Sequence, residues 1–293
     1  MVVTSARLWH SAAMKHSRFA RRTLVQAIAG LILFLMFFRW FEHSQVYHPT
    51  RSLDPAEKES AQPIQDVFFK ASDGVQLNAW FFPAALNAPR RDLALVLCHG
   101  NGGNISHRVD LCLLLRELGI NVLSFDYRGY GLSEGRPSEE GTYKDAQAAH
   151  AWLVQNGFPH QRIIAYGESL GGGVASELAA REPVAGLVLH STFTSIPDIG
   201  SELFPWLPVR LLCRIRYNTL DRLPRIKVPV LVLHSRTDEM IGFAHGERNF
   251  AAANEPKQFA EIHGGHNDPL GADRDTFVRA IESFLTFLPQ ATP

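Results

Sequence analysis

The pentapeptide Gly167-Glu168-Ser169-Leu170-Gly171 limits the fold of this chain more than any other feature, because it follows directly on the apolar run Ile163-Ile164-Ala165-Tyr166. That run is short and bounded, as a buried strand is, and the stretch behind it, to Arg181, has the composition of a helix. The chain must therefore end a strand, turn sharply and enter a helix within a few residues. Such a turn lifts its central side chain, the Ser169 hydroxyl, clear of the sheet edge. Gly167 and Gly171 suit it, since a side chain at either place would clash with the neighbouring strand or helix. Alone the pattern is common; between a strand and a helix it marks Ser169 as a candidate nucleophile.

The rest of the chain has the rhythm that such a turn requires. Asp66 to Lys70 and Val75 to Phe82 flank Ala71-Ser72-Asp73-Gly74 and form a β-hairpin signal. Strand-like runs follow at Leu93 to Cys98, Ile120 to Phe125, Ile163 to Tyr166, Val184 to Leu189, Val228 to Leu233 and Gln258 to Ile262. Most are continuously apolar, as strands covered on both faces are. Helix-like segments lie between and after them, at Ser106 to Leu118, Ser138 to Gln155, Leu170 to Arg181, Gly242 to Asn254 and Asp273 to Leu288. This alternation predicts an α/β fold: a mostly parallel sheet with an N-terminal antiparallel hairpin and helices on both faces. One stretch breaks the rhythm, the Pro-containing insert Phe193 to Lys227.

Composition narrows the function. The chain has 293 residues, 46% of them apolar, enough for one large core, and a formal net charge of zero, which argues against a polyanion partner such as nucleic acid. Cys98, Cys112 and Cys213 are too few for a disulfide framework and lack metal spacing; Cys98 and Cys112 sit in apolar runs and are expected in the core. There are 13 histidines, but no His-Glu-x-x-His or comparable spacing, so neither a catalytic metal nor another cofactor is expected.

The first sixty residues differ in kind. Thr23 to Phe38 carries no charge, and Leu31 to Phe38 is apolar on every face, unlike a soluble amphipathic helix. Extended to Phe41 it spans roughly 27 Å, with Arg39 able to snorkel and Trp40 suited to an interface. Residues 23–41 are therefore expected to be a membrane anchor. A cleaved signal peptide is the alternative, but it needs small residues after the apolar core, where this chain has Phe37-Phe38-Arg39-Trp40-Phe41. Arg7, Lys15, Arg18, Arg21 and Arg22 precede the span without one acidic residue. Residues 1–22 thus form a basic cytoplasmic tail, and the rest of the chain crosses to the non-cytoplasmic side. Residues 42–63, polar and with three prolines from Gln45 to Pro63, are expected to be a linker to a domain over 64–293.

Five motifs in order give the chain its likeness. They are His99-Gly100-Asn101-Gly102-Gly103-Asn104, Phe125-Asp126-Tyr127-Arg128-Gly129-Tyr130-Gly131, the serine turn, His234-Ser235-Arg236-Thr237-Asp238-Glu239, and Gly264-Gly265-His266-Asn267. From Val67 to Leu288 the chain resembles the α/β-hydrolase family, most of all its membrane-associated branch of Bem46-like and ABHD-type serine hydrolases. The resemblance implies a nucleophile, acid and histidine in that order along the chain, each in a loop after a strand. Ser169 is then the nucleophile. Asp238 and Glu239 both follow a late strand, and the family pattern prefers Asp238, leaving Glu239 as a solvated loop carboxylate. His266 is favoured over His263 because Gly264 and Gly265 let the loop swing its ring over the sheet edge. The oxyanion of acyl transfer needs two backbone N–H donors, assigned to Leu170 at the helix start and Asn101 in the glycine-rich loop. His99 is expected to bond within that loop, and Asp126 to fix a turn.

The expected activity is cleavage of an acyl ester or thioester through an acyl-enzyme, with a substrate that is lipid or membrane-borne on the analogy of small-capped members of the fold. The insert 193–227 is expected as a short cap whose Phe204, Pro205, Trp206, Leu207, Val209, Leu211 and Leu212 either line an acyl pocket or pack on the sheet. A serine peptidase of the aminopeptidase type shares the same machinery, with Arg210, Arg214 and Arg216 as candidate anchors for a peptide terminus. A catalytically silent binding protein fits less well, since every position of the machinery is filled.

Overall fold

The computed structural model describes residues 3–54, 63–267 and 269–289, with side chains from residue 21 onward except at 269–271. Residues 55–62, within the expected linker, lie outside the described residues. The chain divides into two compact units, the first ending at Val46 and the second beginning at Tyr47.

The first unit is one helix, α1, Val3–Val46, uninterrupted because no proline occurs within it. It stops just before Tyr47-His48-Pro49, where the residue ahead of a proline resists the α conformation. Leu31, Leu33, Met36 and Phe37 are exposed. From Arg21 to Val46 the helix is long and apolar enough to cross a membrane, a test that signal sequences also pass.

Among the described residues the main sheet of the second unit has eight strands: β1 Gln65–Lys70, β2 Gln76–Phe82, β3 Ala94–Cys98, β4 Asn121–Phe125, β5 Ile163–Glu168, β6 Gly186–His190, β7 Val230–Ser235 and β8 Lys257–Ile262. Their order across the sheet is β8-β7-β6-β5-β3-β4-β2-β1. The expected hairpin is there, with Gln65 opposite Phe81 and Lys70 opposite Gln76, and only β2 runs against the other strands. β3 lies between β4 and β5, its Ala94 level with Asn121 on one side and Ile163 on the other. The chain therefore winds one way from β3 to β4 and the other way from β5 onward. Loops leaving the carboxyl ends of β3 and β5 diverge at that reversal and leave a crevice between them.

Helices α2 (Val109–Glu117) and α9 (Pro269–Leu285) cover one face. Their Leu111, Leu114, Leu115, Phe277, Ile281 and Phe284 share a core with Trp80, Leu95, Ile164 and Leu231 of the sheet. Each such buried side chain stabilises the fold by about 1.5–3 kcal/mol. The other face carries α3 (Glu139–Gln155) and α4 (Leu170–Arg181), packed on each other and on the strands, and α8 (Phe243–Ala252) beside β7. Cys98, Cys112 and Cys213 are buried free thiols.

Two segments depart from their sequence reading. Part of the expected linker lies on the second unit, where His48 and Pro49 pair in parallel with Gly102 and Gly103. The insert 193–227 folds into three short α-helices, α5 (Ile196–Leu203), α6 (Val209–Leu212) and α7 (Thr219–Arg222), followed by a 3-10 turn at Leu223–Arg225. Its apolar cluster is split: Val209 is buried, but Trp206 and Leu211 are 77% and 86% exposed, so neither packs on the sheet.

Candidate active site

The strand-to-helix turn takes the form its sequence demands. β5 ends at Glu168 and α4 opens at Leu170, leaving Ser169 at φ 53°, ψ −116°. A non-glycine residue held there stores roughly 1–3 kcal/mol of backbone strain, so the surroundings must fix it. Ser169 donates its N–H to the His190 carbonyl (2.9 Å), and its carbonyl accepts from the Gly172 N–H (3.0 Å) and the Thr192 hydroxyl (2.6 Å). The flanking glycines are steric necessities: a methyl group on Gly171 would overlap the Cys98 carbonyl oxygen, and one on Gly167 would overlap the Gly171 carbonyl.

Two later loops bring their side chains to this serine. Beyond β8, Gly264 at φ +112° swings the chain so that His266 Nε2 stands 3.0 Å from Ser169 Oγ. Beyond β7, Asp238 Oδ2 lies 2.8 Å from His266 Nδ1. The Asp238 carboxylate also accepts the backbone N–H groups of Met240 (3.0 Å) and Ile241 (2.8 Å). Burial disfavours its charge, but the hydrogen bond from His266 and these two amides outweigh that penalty, and Asp238 titrates below the usual carboxylate range. His263 is exposed and pairs with Asp273 Oδ2 at 2.9 Å instead. Glu239 is exposed, as expected of a solvated loop carboxylate, and its Oε2 also accepts the backbone N–H of His266 at 3.0 Å.

The loop after β3 completes the site. His99 is fully buried, donating Nδ1–H to the Gly100 carbonyl at 2.7 Å, the bond within the loop that its sequence position suggests. That carbonyl and the Asn101 N–H belong to one planar trans peptide and point opposite ways, so drawing the oxygen in toward His99 turns the Asn101 N–H outward. Asp126 acts at longer range than a local turn: its Oδ1 accepts the Ile105 N–H at 3.0 Å, and burial pushes its carboxyl above the usual range. Asn101 lines a cleft of about 290 Å³ with Gly102, Gly103, Glu168, Ser169 and His266. Leu170 is the first residue of α4, where a backbone N–H has no intrahelical acceptor.

An ion pair in the same cleft was not foreseen from the sequence. Arg108 Nε bonds Glu168 Oε2 at 3.0 Å and its Nη2 donates to the Gly102 carbonyl at 3.3 Å. Burial opposes the charge on Glu168, but the adjoining guanidinium prevails and holds its carboxyl below the usual range. The cap adds no residue to the described lining of this cleft, and its Arg210 pairs with Asp198 at 2.9 Å. Among the described residues no three His, Cys, Asp or Glu side chains are grouped to hold a metal.

Comparison with known proteins agrees with this architecture. A family model described as "alpha/beta hydrolase fold" matches residues 94–211. An uncharacterized Mycobacterium tuberculosis protein, Rv2307c, is 39% identical over 261 residues, covering 88% of this chain and 91% of its own. The alpha/beta hydrolase domain-containing protein WAV2 of Arabidopsis thaliana is 35% identical over 256 residues, covering 78% and 80%. Among solved structures, the Pyrococcus furiosus esterase Pf2001 superimposes with a TM-score of 0.67 at 22% identity, covering 83% of this chain and 98% of its own. The chain belongs to the α/β-hydrolase family.

Proposed function

We propose that the protein is a serine hydrolase that cleaves a carboxylic ester or thioester through an acyl-enzyme. One observation carries this reading: the continuous relay from Ser169 Oγ through His266 to Asp238, with links of 3.0 and 2.8 Å, at a strained strand-to-helix turn. In this reading Ser169 Oγ attacks the acyl carbon as His266 Nε2 takes its proton, and Asp238 stabilises the resulting imidazolium. The negative charge gathered on the former carbonyl oxygen is met by the N–H groups of Asn101 and Leu170. His266 then returns the proton to the departing alcohol or thiol, and water repeats the sequence to free the acid. Several solved structures that share the fold are themselves esterases, among them Pf2001 and RhEst1 from Rhodococcus, which supports the ester reading.

The reading includes a place for the enzyme. The exposed apolar stretch of α1, with five cations and no acid ahead of it, favours an uncleaved membrane anchor with the catalytic unit on the non-cytoplasmic side. The test is covalent labelling with a fluorophosphonate together with turnover of p-nitrophenyl esters and an acyl thioester. Wild-type protein is expected to show both, and Ser169→Ala neither. Labelling that persists in Ser169→Ala, or turnover of an aminoacyl amide in preference to every ester, refutes the reading.

A further inference from the structure

The residues directly after α1 are bonded to the loop that carries Asn101. His48 donates its N–H to the Asn101 carbonyl and Thr50 donates to the Gly103 carbonyl, both at 3.1 Å. The loop answers: the Asn104 side-chain amide donates to the carbonyls of Thr50 (3.1 Å) and Ser52 (2.7 Å). Asp54 N–H reaches Ser106 Oγ at 3.1 Å and ends the seam. Residues 47–54 thus form a strap along the whole outer edge of the loop.

The strap is itself fixed to the body of the domain. Tyr47 is 4% exposed, and its hydroxyl lies 3.0 Å from that of Tyr217, which lies 2.7 Å from Thr142 Oγ1. Gly131 donates its N–H to the Thr50 carbonyl at 2.9 Å, and Arg51 donates to the Ser133 carbonyl at 2.6 Å. The loop it holds needs such support. Three of the four residues Gly100-Asn101-Gly102-Gly103 are glycines, which sample many backbone conformations of similar energy. His99 orients the peptide before Asn101. The carbonyl of the peptide after it is held by His48 N–H and by the Tyr130 hydroxyl at 2.8 Å. With both flanking peptides fixed, the Asn101 N–H has one direction.

We infer that residues 47–54 are a positioning segment of the active site, holding the oxyanion loop in the conformation that presents the Asn101 N–H. This rests on the serine-hydrolase reading above. Preorganised donors act in the transition state far more than in the ground state, so loosening the strap lowers kcat rather than raising KM. It also sets the shortest competent domain: one that begins at Ile64 lacks the strap.

The experiment compares full-length wild type, Thr50→Pro, Thr50→Ala and Tyr47→Ala in detergent, with p-nitrophenyl butyrate as substrate and a trifluoromethyl ketone as oxyanion-forming inhibitor. Thr50→Pro deletes the N–H that bonds Gly103 and is expected to lower kcat by about tenfold or more with KM within about threefold, and to weaken the ketone in parallel. Thr50→Ala keeps that N–H and is expected to recover the rate. If Thr50→Pro does not fold, Tyr47→Ala, which unseats the strap from Tyr217, carries the same expectation. Wild-type kcat and ketone affinity in whichever of these two variants folds overturn the inference, as does a change confined to KM. A wild-type protein that neither turns over esters nor labels at Ser169 overturns the enzyme reading, and this inference with it.

Discussion

The carboxylate of Glu239 accepts a 3.0 Å hydrogen bond from the backbone N–H of His266, while the neighbouring Asp238 holds the ring of the same histidine at 2.8 Å. Two consecutive carboxylates thus fix one residue, the first through its imidazole and the second through its main chain. The loop that bears His266 contains Gly264 and Gly265, and the Glu239 bond limits the freedom they introduce. Glu239→Ala should lower kcat by on the order of tenfold, as loss of one hydrogen bond to a charged acceptor allows. Glu239→Gln keeps a carbonyl acceptor and should stay within about threefold. Steady-state rates on a p-nitrophenyl ester decide it, and equal losses in the two variants would show that the charge, not the bond, matters.

Ser169, His266 and Asp238 should behave as one unit. Each single alanine variant is expected to lose roughly 10⁴-fold or more in turnover, and the double variant His266→Ala/Asp238→Ala little beyond the worse single. Losses that multiply would show that the three act separately, and a dead His263→Ala beside an active His266→Ala would name the other histidine as base.

Gly171→Ala should be among the most damaging small substitutions in the chain. The added methyl overlaps the Cys98 carbonyl, and Cys98 is paired in register with Gly167, so neither strand can yield. A loss of about 3 kcal/mol or more is expected by thermal or urea unfolding. Gly242→Ala is the comparison, because a methyl there meets nothing within 4 Å. Similar stability in the two variants would remove the steric account of the turn.

Stability should fall between neutral and mildly acid pH. Burial pushes the His190 ring down to about 4, whereas in the unfolded chain it titrates near 6.5. Between those values the unfolded chain binds a proton that the folded chain refuses. The stability linked to this group is therefore complete above about pH 6.5, shrinks as pH falls toward 4, and then levels off. The loss is roughly 3 kcal/mol at most. His150, His234 and His245 are shifted the same way by burial and share the slope. His190→Asn, which retains a partner for the Tyr166 hydroxyl 2.8 Å from Nδ1, should flatten the curve of urea midpoint against pH without abolishing it. An unchanged slope would mean that His190 carries its proton in the folded state.

The protein should stay with membranes after carbonate washing, which strips peripheral proteins. A tag at the C-terminus should be reached by protease only from the non-cytoplasmic side. A mature chain beginning after residue 43 would identify the apolar helix as a cleaved signal, and cytoplasmic access to the tag would reverse the orientation.

What the sequence revealed and what it concealed divide along physical lines. The strands and helices were legible because each is a local pattern: an apolar run bounded by turn residues, or a glycine-flanked serine between two such elements. Ser169 and His266 were legible because each follows a strand at a glycine-bearing turn. The order of elements pointed to Asp238 or Glu239, the family resemblance chose Asp238, and the structure brings Ser169, His266 and Asp238 together. The Arg108–Glu168 pair was not, since nothing local links residues 60 apart. Glu239 is the exposed loop carboxylate its position suggests, but its bond to His266 was hidden, because a backbone N–H donor leaves no trace in side-chain pattern. The strap was hidden for the same reason. In each of the five bonds of its seam the strap contributes a main-chain group, and proline-bearing polar residues such as His48-Pro49-Thr50 have the composition of a linker whether they dock or not.

The seam also orders events in time. Thr50 lies 54 residues ahead of Asn104, and Asp54 lies 52 ahead of Ser106. At synthesis rates of about 5–20 residues per second, the strap leaves the ribosome several seconds before its docking site exists. Helix α1 is complete earlier still, at Val46. The glycine-rich loop is thus the last of the three to be made, and Tyr217, which seats the strap on the body of the domain, follows more than a hundred residues later.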